Sequence, residues 1–264
     1  MYSPFQLAKK YFHYYLNASN GKGHGIHSPF VFDFIKNVLN DKKVYECYVP
    51  IEKLRKELLQ DKRVIEVEDF GAGSLAVPSR QKKVSDITKS FLKSKKLAQL
   101  LFRIAIYYKP KTIIELGTSL GITSAYLAAN KTSEVITLEG SKNVAVIAEN
   151  NFKKQGLQNI KIVQGNFDDT LPQLLSQVKN IDLAFVDGNH RKTPTLSYFQ
   201  QFLQKSTDES IFIFDDIHWS TEMEEAWKEI QQHPMVTLTI DLFFIGLVFF
   251  NKDFKAKQHF IIRF

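Results

Sequence analysis

The chain is short of cysteine and has no long apolar run, and each shortage closes off a class of protein. Cys47 is the only cysteine among 264 residues. It leaves no intramolecular disulfide and no cysteine-based zinc site, and suits a reducing compartment. The longest apolar run, Leu242 to Phe250, is too short for a membrane span of about 20 residues. The opening MYSPFQLAKKYFHYY has no apolar core like that of a signal peptide. The expectation is a cytoplasmic protein with no membrane partner.

Acidic charge is scarce in one half. The formal net charge is +7, but residues 1–110 hold 20 Lys and Arg against 10 Asp and Glu, and residues 111–264 hold 15 against 18. Clusters such as Lys82-Lys83 and Lys93 to Lys96 could neutralise phosphates. They fit solvated helix faces better, so a nucleic-acid partner is not the first expectation. With 44% hydrophobic residues the chain can bury one large core. A division into a mainly helical N-terminal appendage and lid, residues 1–92, and a catalytic domain, residues 93–264, is the simplest.

What is present centres on Lys111 to Ala128, KTIIELGTSLGITSAYLA. Thr112, Ile113 and Ile114 read as a buried parallel strand that ends at Glu115. Gly117-Thr118-Ser119-Leu120-Gly121 permits a tight turn and a close backbone approach to a ligand, and an alanine-containing helix follows. Strand, glycine loop and helix together make a nucleotide-type cradle. The spacing G-x-x-x-G does not match the dinucleotide pattern G-x-G-x-x-G. The same five residues satisfy G-x-S-x-G, the nucleophile elbow of α/β-hydrolases, with Ser119 as nucleophile, Asp187 or Asp215 as acid and His218 or His259 as base. Against that reading, only helix-like and loop-like sequence precedes Lys111, where a hydrolase would place several strands.

A cradle for a ribose-bearing cofactor needs an acid at the end of the next strand, about 20 residues on. Glu134 to Glu139, EVITLE, is such a strand, and Glu139 stands 22 positions after Gly117. Across residues 90–250 the chain then resembles the class I S-adenosylmethionine-dependent methyltransferases, most closely the small-molecule O-methyltransferases of the catechol type. The resemblance implies a Rossmann-like α/β fold, a doubly wound, mostly parallel seven-stranded sheet behind the helical appendage. It implies S-adenosylmethionine as cofactor, held by Glu115, Gly117, Thr118, Ser119, Gly121, Glu139, Asn166, Phe167 and Asp187, with Asn166 at the adenine. In catechol-type enzymes carboxylates at two strand ends hold magnesium beside the acceptor's oxygens, and Asp187, Asp215 and Asp216 fall on those positions. Two departures stand out: Asp216 replaces the usual asparagine, and His190 stands where a lysine usually serves as base. Asp187 and His190 are accordingly the expected catalytic pair. The acceptor is expected to be a small molecule; a nucleic-acid or protein acceptor is the alternative, and a homodimer is compatible with the aromatic N-terminal stripe.

The remaining elements follow from periodicity and caps. Helices are expected over Met1–Leu16, Phe30–Leu39 (capped by Ser28, with Pro29 opening it), Ile51–Gln60, Ser85–Leu92 and Lys95–Tyr108. After the cradle, strands at Ile160–Gln164, Ile181–Val186, Ile211–Phe214, Val236–Leu242 and Ile245–Phe250 alternate with helices, the final strand being antiparallel. Val64 to Ser74, VIEVEDFGAGS, imitates the cradle but is followed by Pro78 and a basic stretch rather than an apolar helix, so it reads as a loop. His24 and His27 lie in a glycine-rich loop without a third ligand, which favours a structural part.

Overall fold

In the computed structural model the described residues are 1–69 and 77–264. They form two compact units, Met1–Asp41 with Val178–Phe264, and Lys42–Gln177. In chain order the first stretch gives α1 (Pro4–Asn17) and α2 (Pro29–Phe34). The second unit holds α3 (Tyr48–Gln60), β1 (Val64–Asp69), β2 (Val77–Lys83), α4 (Val84–Phe91), α5 (Lys95–Tyr108), β3 (Thr112–Leu116), α6 (Ile122–Ala128), β4 (Glu134–Glu139), α7 (Lys142–Lys154), β5 (Ile160–Gln164) and α8 (Phe167–Gln177). The chain then returns to the first unit with β6 (Leu183–Val186), α9 (Lys192–Leu203), β7 (Ile211–Asp215), α10 (Thr221–Gln232), β8 (Leu238–Asp241), β9 (Ile245–Phe249) and β10 (Gln258–Ile261).

Local chemistry explains the helix ends. Ser3 accepts from the Gln6 N–H while the Gln6 side chain accepts from the Ser3 N–H, a reciprocal cap on α1 with Pro4 in its first turn. Ser94 caps α5, which stops where Lys109 turns left-handed (φ 52°) before Pro110. Ser28 caps α2 as expected, its Oγ accepting from the Val31 N–H. That helix does not run on as α-helix to Leu39: residues Ile35–Leu39 form a π-helical turn.

In the second unit β3, β4 and β5 lie side by side in parallel, with Ile114 opposite Ile136 and Thr137 opposite Ile162. In the first unit the order is β10-β8-β9-β7-β6, with β6 parallel to β7, β9 antiparallel to both β7 and β8, and β10 parallel to β8. The arrangement is the mostly parallel α/β architecture with helices in the connections. Among the described residues the first unit holds a strand that the sequence does not announce: β10 alternates half-buried and exposed residues at a sheet edge and has too few apolar positions to stand out.

The loop expected at 64–74 is corrected in part. Val64–Asp69 is a strand, paired antiparallel with Val77–Lys83, so strand structure does precede Lys111. Its physical cause is a period of two: Ile65 and Val67 are half-buried against the cluster of Tyr48, Phe102 and Tyr126, while Glu66 and Glu68 face outward. The glycines of the lookalike, Gly71 and Gly73, lie outside the described residues.

Candidate active site

The cradle is built in the second unit. Ile113, Ile114 and Leu116 of β3 are fully buried, which fixes the strand and delivers the loop after it. Gly117 (φ 102°), Ser119 (φ 49°) and Gly121 (φ 82°) all adopt the left-handed region. At Gly121 a side chain is excluded twice over, because a Cβ would also lie 2.5 Å from the Phe152 ring. Glu115 is buried, and its Oε2 accepts from the hydroxyls of Ser124 and Thr137 (2.7 Å for the latter). Its visible work is therefore to tie β3 to α6 and β4. Thr118 is likewise buried and shares a 2.6 Å hydrogen bond with Thr137.

Glu139 closes the cradle from β4. Its Oε2 accepts from the Ser119 N–H at 2.8 Å and its Oε1 from the Ser141 N–H at 3.0 Å. Burial pushes the carboxyl up to about 7, against the pull of these backbone N–H groups. A carboxylate has about four lone-pair sites, and the backbone N–H groups of Ser119, Ser141 and Gly140 do not fill them all, which leaves acceptor capacity for a ligand's hydroxyl. The Ser119 hydroxyl is buried with no partner among the described residues. Gly165, with φ 141°, donates its N–H to the Glu139 carbonyl, and Asn166 follows at the start of α8. The Asn166 side-chain oxygen accepts from the Asp168 N–H at 3.2 Å. Phe167 is the first residue of α8 and half-buried. A left-handed loop with no room for a side chain at Gly121, an unpartnered hydroxyl in it and an acid at its edge all fit a ribose-bearing cofactor.

The second cluster lies in the first unit. β6 is buried throughout and is followed directly by Asp187; β7 ends on Asp215, itself 1% exposed. Between Asp187 and His190, Asn189 takes a left-handed turn (φ 64°) and donates to the Tyr198 hydroxyl at 2.8 Å. This turn brings the His190 Nε2 back to 3.6 Å from Asp187 Oδ1 and 3.9 Å from Asp216 Oδ2. One ligand atom each from Asp187, His190 and Asp215 lie within 4.8 Å of one another. Of the expected metal set of Asp187, Asp215 and Asp216, the first two are brought together with His190, and Asp216 is not in that group among the described residues. The cause is the Asn189 turn, together with a second left-handed residue at Asp216 (φ 54°), whose N–H is committed to the Phe244 carbonyl at 2.7 Å. Two carboxylate oxygens and an imidazole nitrogen are a donor set that suits a divalent ion.

The hydrolase alternative loses its base. His218 is bound to Glu224 (3.1 Å) and Asp241 (2.8 Å), and His259 to Thr239 (2.8 Å), so both candidate imidazoles are engaged within the first unit. His24 and His27 join no metal-capable group among the described residues.

Sequence reasoning missed a further network. Asp241, His218, Glu224 and Lys10 alternate in charge, Lys10 Nζ lying 2.9 Å from Glu224 and the Tyr2 hydroxyl donating to the same carboxylate at 2.8 Å. Burial pulls the His218 pKa down, but the bonds to Asp241 and Glu224 outweigh it and leave it above the ordinary value. These residues line a cavity of about 520 Å³ with Tyr14 and Phe243. No short spacing signals the group, since Tyr2 and Glu224 stand 222 positions apart.

Comparison with known proteins agrees with this geometry. Residues 114–217 match a family model described as a methyltransferase domain. No curated protein sequence matches the chain. Among solved structures, an SAH-bound methyltransferase of Podospora anserina superimposes with a TM-score of 0.58 at 16% identity, covering 84% of this chain and 96% of its own. An O-methyltransferase of Bacillus cereus in complex with SAH gives 0.56 at 18% identity, covering 83% and 97%. TomG of Streptomyces achromogenes, an O-methyltransferase involved in tomaymycin synthesis and solved with SAM, gives 0.57 at 17% identity, covering 79% and 91%. At these identities the likeness speaks for the fold.

Proposed function

We infer that this methyltransferase domain works as an S-adenosylmethionine-dependent enzyme that methylates an oxygen of a small molecule. The observation that carries the reading is the join between Glu139 and the glycine loop, 2.8 Å from the Ser119 N–H, within the segment that matches the methyltransferase family model. Two of the three similar structures are described as O-methyltransferases, which favours oxygen as the acceptor atom. A single cysteine, half-buried and pushed up to about 11 by burial, suits work in a reducing, cytoplasmic setting.

When bound, S-adenosylmethionine supplies a methyl group on a cationic sulfur, open to in-line displacement. The protein's task is to place the acceptor and remove its proton. Gly117, Thr118, Ser119 and Gly121 present backbone to the cofactor, Glu139 accepts from its ribose, and the Asn166 amide donates to its adenine. Glu115 holds the loop from behind. Asp187 and His190 serve the acceptor. The 3.6 Å approach of Asp187 to the His190 ring supports two uses of that imidazole: a proton acceptor oriented by the carboxylate, or a metal ligand beside Asp187 and Asp215. A divalent ion held there would supply positive charge next to an acceptor hydroxyl.

Isothermal titration with S-adenosylmethionine tests the cofactor, and mass spectrometry of a panel of phenols and catechols incubated with enzyme and cofactor tests the acceptor. Absence of measurable cofactor binding would sink the reading.

A further inference from the structure

Helix α1 has three faces, and the methyltransferase reading uses none of them fully. At about 100° per residue, Leu7, Tyr11 and Tyr14 share the inner face, where Tyr11 and Tyr14 pack on Phe243 with ring centres 5.0 and 5.2 Å away. Gln6, Lys9, Lys10, His13 and Asn17 form a polar face along the cavity. The third face carries Phe5, Phe12, Tyr15 and Leu16, which are 80, 63, 48 and 58% exposed. With Ala8 between them they follow the spacing i, i+3, i+7, i+10, i+11, a continuous apolar arc turned to solvent. Single exposed apolar residues are ordinary, whereas a contiguous run along one helix marks an interaction surface.

Charge says what the surface meets. Residues 1–32 contain no aspartate or glutamate. Lys9, on one edge of the arc, has no ion pair among the described residues, unlike its neighbour Lys10, which is held by Glu224. On the other edge Arg263 lies over the Tyr15 ring at 4.7 Å and donates to the Leu16 carbonyl. Cations therefore flank the apolar arc on both sides. We propose that this face of α1 lies in the headgroup boundary of an anionic lipid bilayer, with Phe5, Phe12 and Leu16 in the acyl region and Lys9 and Arg263 reaching back to the phosphates.

A second copy of the chain fits less well. A two-fold contact through the same face would set both copies' Lys9 and Arg263 along one seam in a stretch without acids. The sequence expectation of no membrane partner rests on the lack of a spanning run, and among the described residues no helix is long and apolar enough to cross a membrane. A surface-lying helix needs no span.

The test is sedimentation of the full chain with phosphatidylcholine vesicles, with and without phosphatidylglycerol. The expected result is capture only by the anionic vesicles, relieved by salt. The double variant Phe5→Ser/Phe12→Ser and the single variant Lys9→Glu should each lower capture by on the order of tenfold. These side chains are exposed, so circular dichroism should be unchanged. Phe5→Trp gives a direct readout, a blue-shifted emission on adding anionic vesicles. No capture, equal capture by neutral vesicles, or capture indifferent to the variants overturns the proposal. So does a dimer, seen by light scattering, that the double variant converts to monomer, which would make a second copy the occupant.

Discussion

Glu139 and Ser119 are joined by a hydrogen bond from the Ser119 backbone to the Glu139 carboxylate, 2.8 Å long. The acid expected to hold a ribose is thus also what shapes the glycine loop. Glu139→Ala should cost about 1.5–3 kcal/mol in cofactor binding, the usual worth of hydrogen bonds to a charged group. It should also loosen the loop, whereas Glu139→Gln keeps one acceptor and should lose less. Isothermal titration of both variants checks the order.

The same carboxyl gives cofactor binding a pH dependence. Burial raises Glu139 to about 7, so below that value the folded protein holds it protonated, and above it the ionised acceptor is present. Cofactor affinity should rise between pH 6 and 8, roughly within a unit of that pKa, and then level. Binding near neutrality should release a proton, visible as a heat that varies with the buffer's ionisation enthalpy. Glu139→Gln should abolish both effects; a pH dependence that survives in that variant belongs to another group.

At the second cluster, chelation and add-back separate the two uses of His190. If the imidazole is a ligand with Asp187 and Asp215, His190→Ala should weaken Mn2+ binding, read by electron paramagnetic resonance, as well as turnover. If it is a free base, turnover should fall by about 10²–10⁴ while activity ignores chelators. In both cases S-adenosylmethionine affinity should stay unchanged.

His218→Ala should destabilise the fold by about 2–3 kcal/mol, since it strips hydrogen bonds from the Asp241 and Glu224 carboxylates. The His218 pKa is raised above its ordinary 6.5. Its contribution is therefore complete below that value and lost as pH rises through the folded pKa. Thermal melts across this range should show wild type losing more stability with rising pH than the variant. Parallel curves would refute the assignment.

How much could be read in advance depended on sequence distance. The cradle was legible because strand, loop and helix are consecutive and Glu139 falls on the next strand, all within Lys111 to Glu139. The strand ends Asp187 and Asp215 were legible for the same reason. That His190 joins Asp187 and Asp215 in one group was not, because it depends on a left-handed turn at Asn189 that a residue type permits without requiring. At 64–69 the strand signal is short, Ile65 and Val67 alternating with Glu66 and Glu68, and a glycine-rich stretch follows it directly. The Tyr2, Lys10, His218, Glu224 and Asp241 network has no local signature, its members being brought together only by the folded first unit.

That unit is discontinuous in the chain, and this has a consequence for how the protein is made. Tyr14 donates its hydroxyl to the Ile262 carbonyl, 248 positions away. At a ribosome's pace of about 5–20 residues per second, α1 waits roughly 12–50 s for its partner strand to be synthesised. During that interval the tyrosines of its inner face are as bare as the phenylalanines of its outer one. Closing so long a loop comes late and slowly. The nascent helix is then an apolar segment that a chaperone, or a nearby surface, meets before the rest of the fold does.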